Sequence, residues 1–276
     1  MRTNLSLFLC VACLGCGQLL ESPGASFVPR RENVEDTPDA GLPASLTCSD
    51  RPPSQSTPPD SVDAELVLFD RSHPYMFRVL EGGHRVELAD YTGLSGATLR
   101  ACALFDPTCS MPVTASSTTD DHGIAHLTVP GAFDGFYQLE RNDTPPSEYY
   151  PQPPTGETRT TYYVGPINKQ SQTAIFSVFQ VMVNPERGHL IVGVYDCDDV
   201  PLGETEIEID RDWDVAPYLG IGPTALPTET PNGYRAFVNI AAGETTVVAS
   251  WRGHVLGTRL VHIRAGHMVL ADIRVR

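Results

Sequence analysis

The stretch MVLADIRV, residues 268–275, puts Val269, Ala271, Ile273 and Val275 on one face of an extended chain. A period of two is the mark of a half-buried β-strand. Working outward, His189–Tyr195, Thr205–Asp210, Arg235–Ile240, Thr245–Trp251 and Val255–Ile263 read the same way, with Gly, Pro, Asn and Asp between them. An earlier series is built alike: Glu65–Phe69, Arg85–Leu88, Thr98–Leu104, Ile124–Val129 and Gly135–Leu139. Short alternating runs bounded by turn residues are the signature of an all-β domain.

Composition agrees. The 276 residues include 23 glycines and 24 prolines, and only 19% are charged, a profile poor for long helices. The two series also repeat each other. LSGAT at 94–98 returns as PLGET at 201–205, and TTDDHGI at 118–124 returns as TETPNGY at 228–234. The separations, 107 and 110 residues, nearly agree, which points to a duplicated β-module. We therefore expect two tandem β-sandwiches, at 61–144 and 184–276. The stretch 145–183 reads as a connector, with prolines and paired tyrosines (Tyr149, Tyr150, Tyr162, Tyr163). Inside it Ser171–Met182 predicts one short helix. Ile175, Phe176, Val178, Phe179 and Met182 follow helical spacing and Ser171 offers an N-cap, although the β-branched content leaves a strand as the alternative.

The charge balance is acidic: 19 basic against 34 acidic residues, net −15, with Lys169 the single lysine. A nucleic-acid binder needs the opposite sign, so that partner class is excluded.

Residues 1–16, MRTNLSLFLCVACLGC, join a basic Arg2 to an apolar run from Leu5 to Leu14. Ten such residues are too few to span a bilayer, which takes about 20. With Gly15 before Cys16 the segment resembles a bacterial lipoprotein signal, although Cys13 stands where leucine is usual; an ordinary secretory leader is the alternative. The resemblance implies removal of 1–15, acylation of Cys16 and attachment to a membrane through that lipid. Gly17, rather than an acidic residue, fits passage to the outer membrane. Residues 16–60 then form a linker, broken by Pro23, Pro29, Pro38, Pro43, Pro52, Pro53, Pro58 and Pro59. Such composition is expected to be disordered, reaching about 35 Å as a flexible coil. The acidic body is repelled by anionic lipid, so the acyl group must carry the attachment.

The segments GATLRACALFDPTCSMP with TTDDHGIAHLTVP, and GHLIVGVYDCDDVPLGETEIEI with TPNGYRAFVNIAAGETTVVAS, are similar to the carboxypeptidase regulatory-like domain, an Ig-like or transthyretin-type β-sandwich. Its tandem form on a lipoprotein leader resembles proteins of myxobacteria-like genomes. The resemblance implies Gly123 and Gly233 in hairpin turns with positive φ, and a module without zinc ligands or catalysis of its own. It implies no cofactor.

Residues with chemical potential were weighed against structural roles. In an oxidising compartment Cys102 and Cys109 are placed to close a short loop, a disulfide worth about 2.5 kcal/mol by chain entropy. Cys48 and Cys197 could also pair, or Cys197 could simply be buried. A zinc site lacks the ligand spacing. Asp196, Asp198, Asp199, Asp210, Asp212 and Asp214 are dense enough to invite a cation, yet no calcium-loop pattern occurs, and Glu206, Glu208 and Asp210 alternate onto a solvated face. The eight histidines show no metal-binding spacing. No nucleophile elbow or phosphate loop survives inspection; GLSGA at 93–97 fails at its last residue. Trp213 is a candidate carbohydrate contact, because an exposed ring can stack on a sugar. The expected function is therefore a non-catalytic, structural or protein-interaction lipoprotein of the cell envelope, with an unknown envelope protein or glycan as partner. The alternative is a carbohydrate- or peptide-binding accessory of a surface hydrolase.

Overall fold

The computed structural model describes residues 46, 59–70, 76–79, 86–89, 92–154, 157–178, 180–197, 200–219, 227–228 and 233–275. The leader, Cys16 and nearly all of the expected linker lie outside the described residues. The first half holds strands β1 (Ser61–Leu68), β2 (Met76–Val79), β3 (Val86–Ala89), β4 (Thr98–Ala103), β5 (Ser117–Thr118), β6 (Ile124–Pro130) and β7 (Gly135–Glu140). Next come β8 (Ser147–Tyr150), β9 (Arg159–Val164) and helix α1 (Lys169–Val178). The second half holds β10 (Arg187–Tyr195), β11 (Thr205–Ile209), β12 (Tyr218–Leu219), β13 (Pro227–Thr228), β14 (Tyr234–Ala241), β15 (Gly243–Trp251), β16 (His254–Ile263) and β17 (Met268–Arg274). The all-β sandwich class is as expected, with one helix.

The duplication is visible in the pairing. β1 lies between antiparallel β6 and parallel β9; β10 lies between antiparallel β14 and parallel β17. β4–β7–β8 and β11–β15–β16 are matching antiparallel sets. The turn glycines repeat as well. Gly123 has φ 77° and Gly233 has φ 85°. A β-carbon would meet Leu68 O at 2.3 Å in the first copy, and Leu202 N at 2.8 Å in the second. The same backbone bonds surround both: Leu68 N–H donates to Gly123 O and Leu94 N–H to Leu68 O, as Val194 N–H donates to Gly233 O and Leu202 N–H to Val194 O. Glycine is needed at each because φ is positive and backbone closes in.

The stretch read as a connector contributes two strands, and one of them joins the halves. β8 pairs in parallel with β17, from Ser147 opposite Met268 to Tyr150 opposite Ala271. The result is a nine-stranded sheet in the order β13-β12-β14-β10-β17-β8-β7-β4-β5. Sheet β6-β1-β9 covers one core and sheet β11-β15-β16 the other. Alternation assigns the faces of the shared sheet. Tyr137, Tyr149, Ile191 and Leu270 enter the first core, while Phe136, Tyr150, Val192 and Val269 enter the second. β17 is thus buried on both faces, which explains its nearly unbroken apolar run.

The helix differs from its expected bounds. It begins two residues early, where Gln172 N–H donates to Asn168 O, so Ser171 lies inside it. It ends at a left-handed Gln180 (φ 55°), with Gln180 N–H donating to Ser177 O and Val181 N–H to Phe176 O, the paired bonds of a Schellman close. Met182 is therefore outside the helix and 89% exposed, contrary to its expected place on the apolar stripe.

At the joint, Glu148 is fully buried on β8; Arg264 Nη1 donates to its Oε1 at 3.0 Å, and His267 Nδ1 stands 3.1 Å from the same oxygen. Removing one partner of a buried ion pair leaves the other unpaired and costs about 3 kcal/mol or more. Glu148→Ala is expected to lower stability by that amount while both halves still melt in one calorimetric transition. Two separated transitions would show that the halves fold independently.

Candidate functional site

A cluster of buried polar groups lies where the halves meet. Tyr149 Oη donates to Asp272 Oδ2 at 2.5 Å, linking β8 to β17. Burial, reinforced by the adjacent Asp272 charge, holds the Tyr149 hydroxyl far above the ordinary tyrosine range. Tyr162, packed edge-on to Tyr149, is pushed up to about 12, chiefly by burial. Tyr234 Oη donates to Tyr195 Oη at 3.1 Å in the same core region, and burial raises Tyr195 strongly. On the other face His262 N–H donates to Tyr150 Oη at 3.1 Å, and His262 Nε2 donates to Leu104 O at 2.8 Å. Arg259 closes the set, with Nη1 on Asp134 Oδ1 at 2.8 Å and Nη2 on Gly135 O at 3.1 Å. The chemistry of this cluster is that of a joint: protonated phenols and paired charges hold strands of the two halves together.

Sequence reasoning missed the joint. Ser147-Glu148-Tyr149-Tyr150 is short and follows Pro145-Pro146, which resembles a linker. The available signal was a carboxylate directly beside two aromatics, unusual for a solvated segment.

The residues singled out from sequence fall in separate places. Cys102 and Cys109 are disulfide-bonded, with Cα atoms 5.2 Å apart, as expected. Cys197 is itself disulfide-bonded, while Cys48 lies outside the described residues. Of the acidic stretch, Asp198 and Asp199 lie outside the described residues. Two of the others accept from backbone, Asp196 Oδ1 from Val200 N–H and Asp210 Oδ1 from Thr246 N–H, while Asp214 accepts from the side chains of Asn239 and Arg187. Glu206 and Glu208 are exposed between buried Ile207 and Ile209. No group of three or more potential metal ligands occurs among the described residues.

Trp213 is 42% exposed. Its ring meets Phe237 edge-on at 6.1 Å, and the Arg235 guanidinium stands 6.0 Å away and 4.9 Å over Tyr218. Arg235 is pinned through Nε to Ala216 O and Nη1 to Ile207 O. The result is a braced aromatic surface with part of the indole left to solvent. Elsewhere an open polar cleft of about 630 Å³ is lined by Gly96, Thr98, Glu140, Arg141, Asn142 and Asp143. It mixes charges of both signs, and Arg141 Nε pairs with Asp143 at 3.0 Å.

His189 of β10 sits opposite a bulge in β14. The pairing with β14 shifts between Gly188 and Leu190, and Asn239, opposite, is left-handed at φ 55°. Asn239 N–H donates to His189 Nδ1 at 3.2 Å, while Phe176 of α1 stacks on the ring at 4.6 Å.

No family model matches the chain, and no curated protein matches it. Among solved structures it is similar to the Bacillus anthracis TIE protein (14% identity, TM-score 0.25, covering 78% of this chain and 34% of that one). It is also similar to a streptococcal ancillary pilin (12%, TM-score 0.24, 80% and 64%) and to the shaft pilin SpaA of Lactobacillus rhamnosus GG (13%, TM-score 0.23, 78% and 96%). The chain spans about a third of the first protein and just under two thirds of the second. At these scores the likeness carries no functional argument.

Burial lowers the His189 pKa from 6.5 to about 4. The unfolded chain therefore takes up the proton first, so stability is full above about pH 6.5 and falls as pH drops toward 4. The loss attributable to this residue is about 3 kcal/mol at most. Denaturation midpoints measured across that window should flatten in His189→Leu; an unchanged slope would assign the pH dependence to other groups.

Proposed function

We propose that this chain is an exported protein held by lipid at Cys16 in the bacterial cell envelope, at the outer membrane, and that its body is a non-catalytic structural or protein-interaction module. The leader pattern of residues 1–16 supports the anchor. The observation that carries the second part is the use made of buried polar groups. Glu148, Tyr149, His262 and Arg259 are all engaged in joining one half to the other. A body organised this way transmits position and force between its ends rather than polarising a substrate. The resemblance of both copies to the carboxypeptidase regulatory-like domain points in the same direction.

A second reading rests on Trp213: its partly exposed, braced ring suits stacking against a sugar, as in an accessory module of a surface hydrolase. Trp213→Ala is expected to abolish retention on an insoluble glycan column if that reading holds, with the folded spectrum unchanged. Retention equal to wild type would remove it.

The anchor is tested by growing the native host with radiolabelled palmitate. Label is expected in the wild type and absent in Cys16→Ser, which should also leave the membrane fraction. Equal labelling of both would refute lipid attachment at this residue.

A further inference from the structure

Apolar side chains are ordinarily turned inward, so several large ones exposed together call for an explanation. The loop between β4 and β5 has three: Phe105 is 86% exposed, Met111 73% and Val113 39%. They are not exposed through looseness. The loop is stapled by Cys102–Cys109 and organised around Asp106, whose carboxylate accepts from Met111 N–H at 2.8 Å, Thr108 Oγ1 at 3.1 Å and Ser110 Oγ at 3.2 Å. Asp106 N–H donates to Ala103 O, Cys109 N–H to Asp106 O and Val113 N–H to Ala101 O. The base of the loop is pinned by His262 on Leu104 O.

Two consequences follow from this wiring. First, the tip exposes no charge: Asp106 is the only ionisable residue between 104 and 117, and its carboxylate is turned inward at 8% exposure onto loop donors. In a chain of net charge −15 that neutrality is local and marked. Second, the amides of Asp106, Cys109, Met111 and Val113 are bonded within the loop and its base, so those four donors are not stranded when the tip leaves water.

The occupant can be argued from size and charge. Phe105 and Met111 together offer about 300 Å² of side-chain surface, well below the roughly 800 Å² per partner of a stable protein interface. A second copy offers no fitting receptor among the described cavities: the apolar one beneath α1 has about 20 Å³, and the larger cleft is lined with charge. A bilayer surface needs no matching pocket. It needs rigid apolar side chains, a neutral rim and satisfied amides. The acidic remainder of the chain selects a zwitterionic surface over an anionic one.

We propose that the Phe105–Val113 loop is a lipid-contact tip that docks the body on the headgroup boundary of a zwitterionic bilayer. The contact is distinct from acylation at Cys16 and can be measured without it. The test uses the chain from Gly17 onward, which keeps every described element, and flotation with phosphatidylcholine vesicles. The wild type is expected to float with the vesicles. Phe105→Ser with Met111→Ser is expected to lower the partition coefficient at least tenfold; both side chains are exposed, so the fold should survive, which circular dichroism checks. Replacing a third of the lipid by phosphatidylglycerol at low salt should weaken binding, and added salt should restore it. In Phe105→Trp the new indole is expected to shift its emission to the blue on vesicle addition. Absent flotation, or equal flotation of the double serine variant, overturns the proposal. So does a wild-type dimer in sedimentation equilibrium that the double variant dissolves, which would assign the patch to a second copy. Failure of palmitate labelling at Cys16 leaves this result unaffected, so the two ideas fail separately.

Discussion

Four residues of parallel pairing, Ser147–Tyr150 against Met268–Ala271, hold the described body together. Through them each sandwich lends one layer to a common sheet, and Arg259 on Asp134 and His262 on Leu104 O add contacts across the same joint. The constraint propagates. Because side chains alternate across a strand, every residue near the joint is committed to one core or the other, and β17 must be apolar on both faces. The one carboxylate in β8 must then be matched from outside the strand, which Arg264 does at Oε1.

Much of this architecture was legible in the sequence, and the illegible part has a physical reason. Alternation identifies a strand and its buried face, so Thr205–Ile209 could be read directly, with Glu206 and Glu208 outward as found; Met268–Arg274 reads as a half-buried strand, whereas the shared sheet buries both of its faces. The duplication could be read because turn geometry dictates residue type: Gly123 and Gly233 occupy equivalent positive-φ positions. Alternation does not name a strand's partner, however. Nothing in SEYY at 147–150 announces pairing with a segment 120 residues away. The helix end was missed for a related reason. Apolar spacing continues through Met182, but the left-handed turn at Gln180 is not written in residue type, since glutamine rarely adopts it.

The candidate sites divide the same way. The Cys102–Cys109 closure follows from short spacing and was foreseen. The organising role of Asp106 was not, because an Asp-Pro pair reads simply as a turn. Its acid is held below the ordinary carboxylate value, first by the Met111 amide and then by the neighbouring hydroxyl and backbone donors. Trp213 is a candidate stacking ring by residue type alone, and both its exposure and its support by Arg235 come only from coordinates.

The placement of the first strand has a mechanical consequence. Ser61 opens β1, the central strand of its sheet, bonded to antiparallel β6 on one side and parallel β9 on the other. Tension that passes the buried Leu46, packed with Trp251 and Val275, and reaches Ser61 therefore runs along a strand clamped at both edges. Its bonds must be sheared together instead of being unzipped one at a time, and such a geometry resists tension far better than a peripheral strand would.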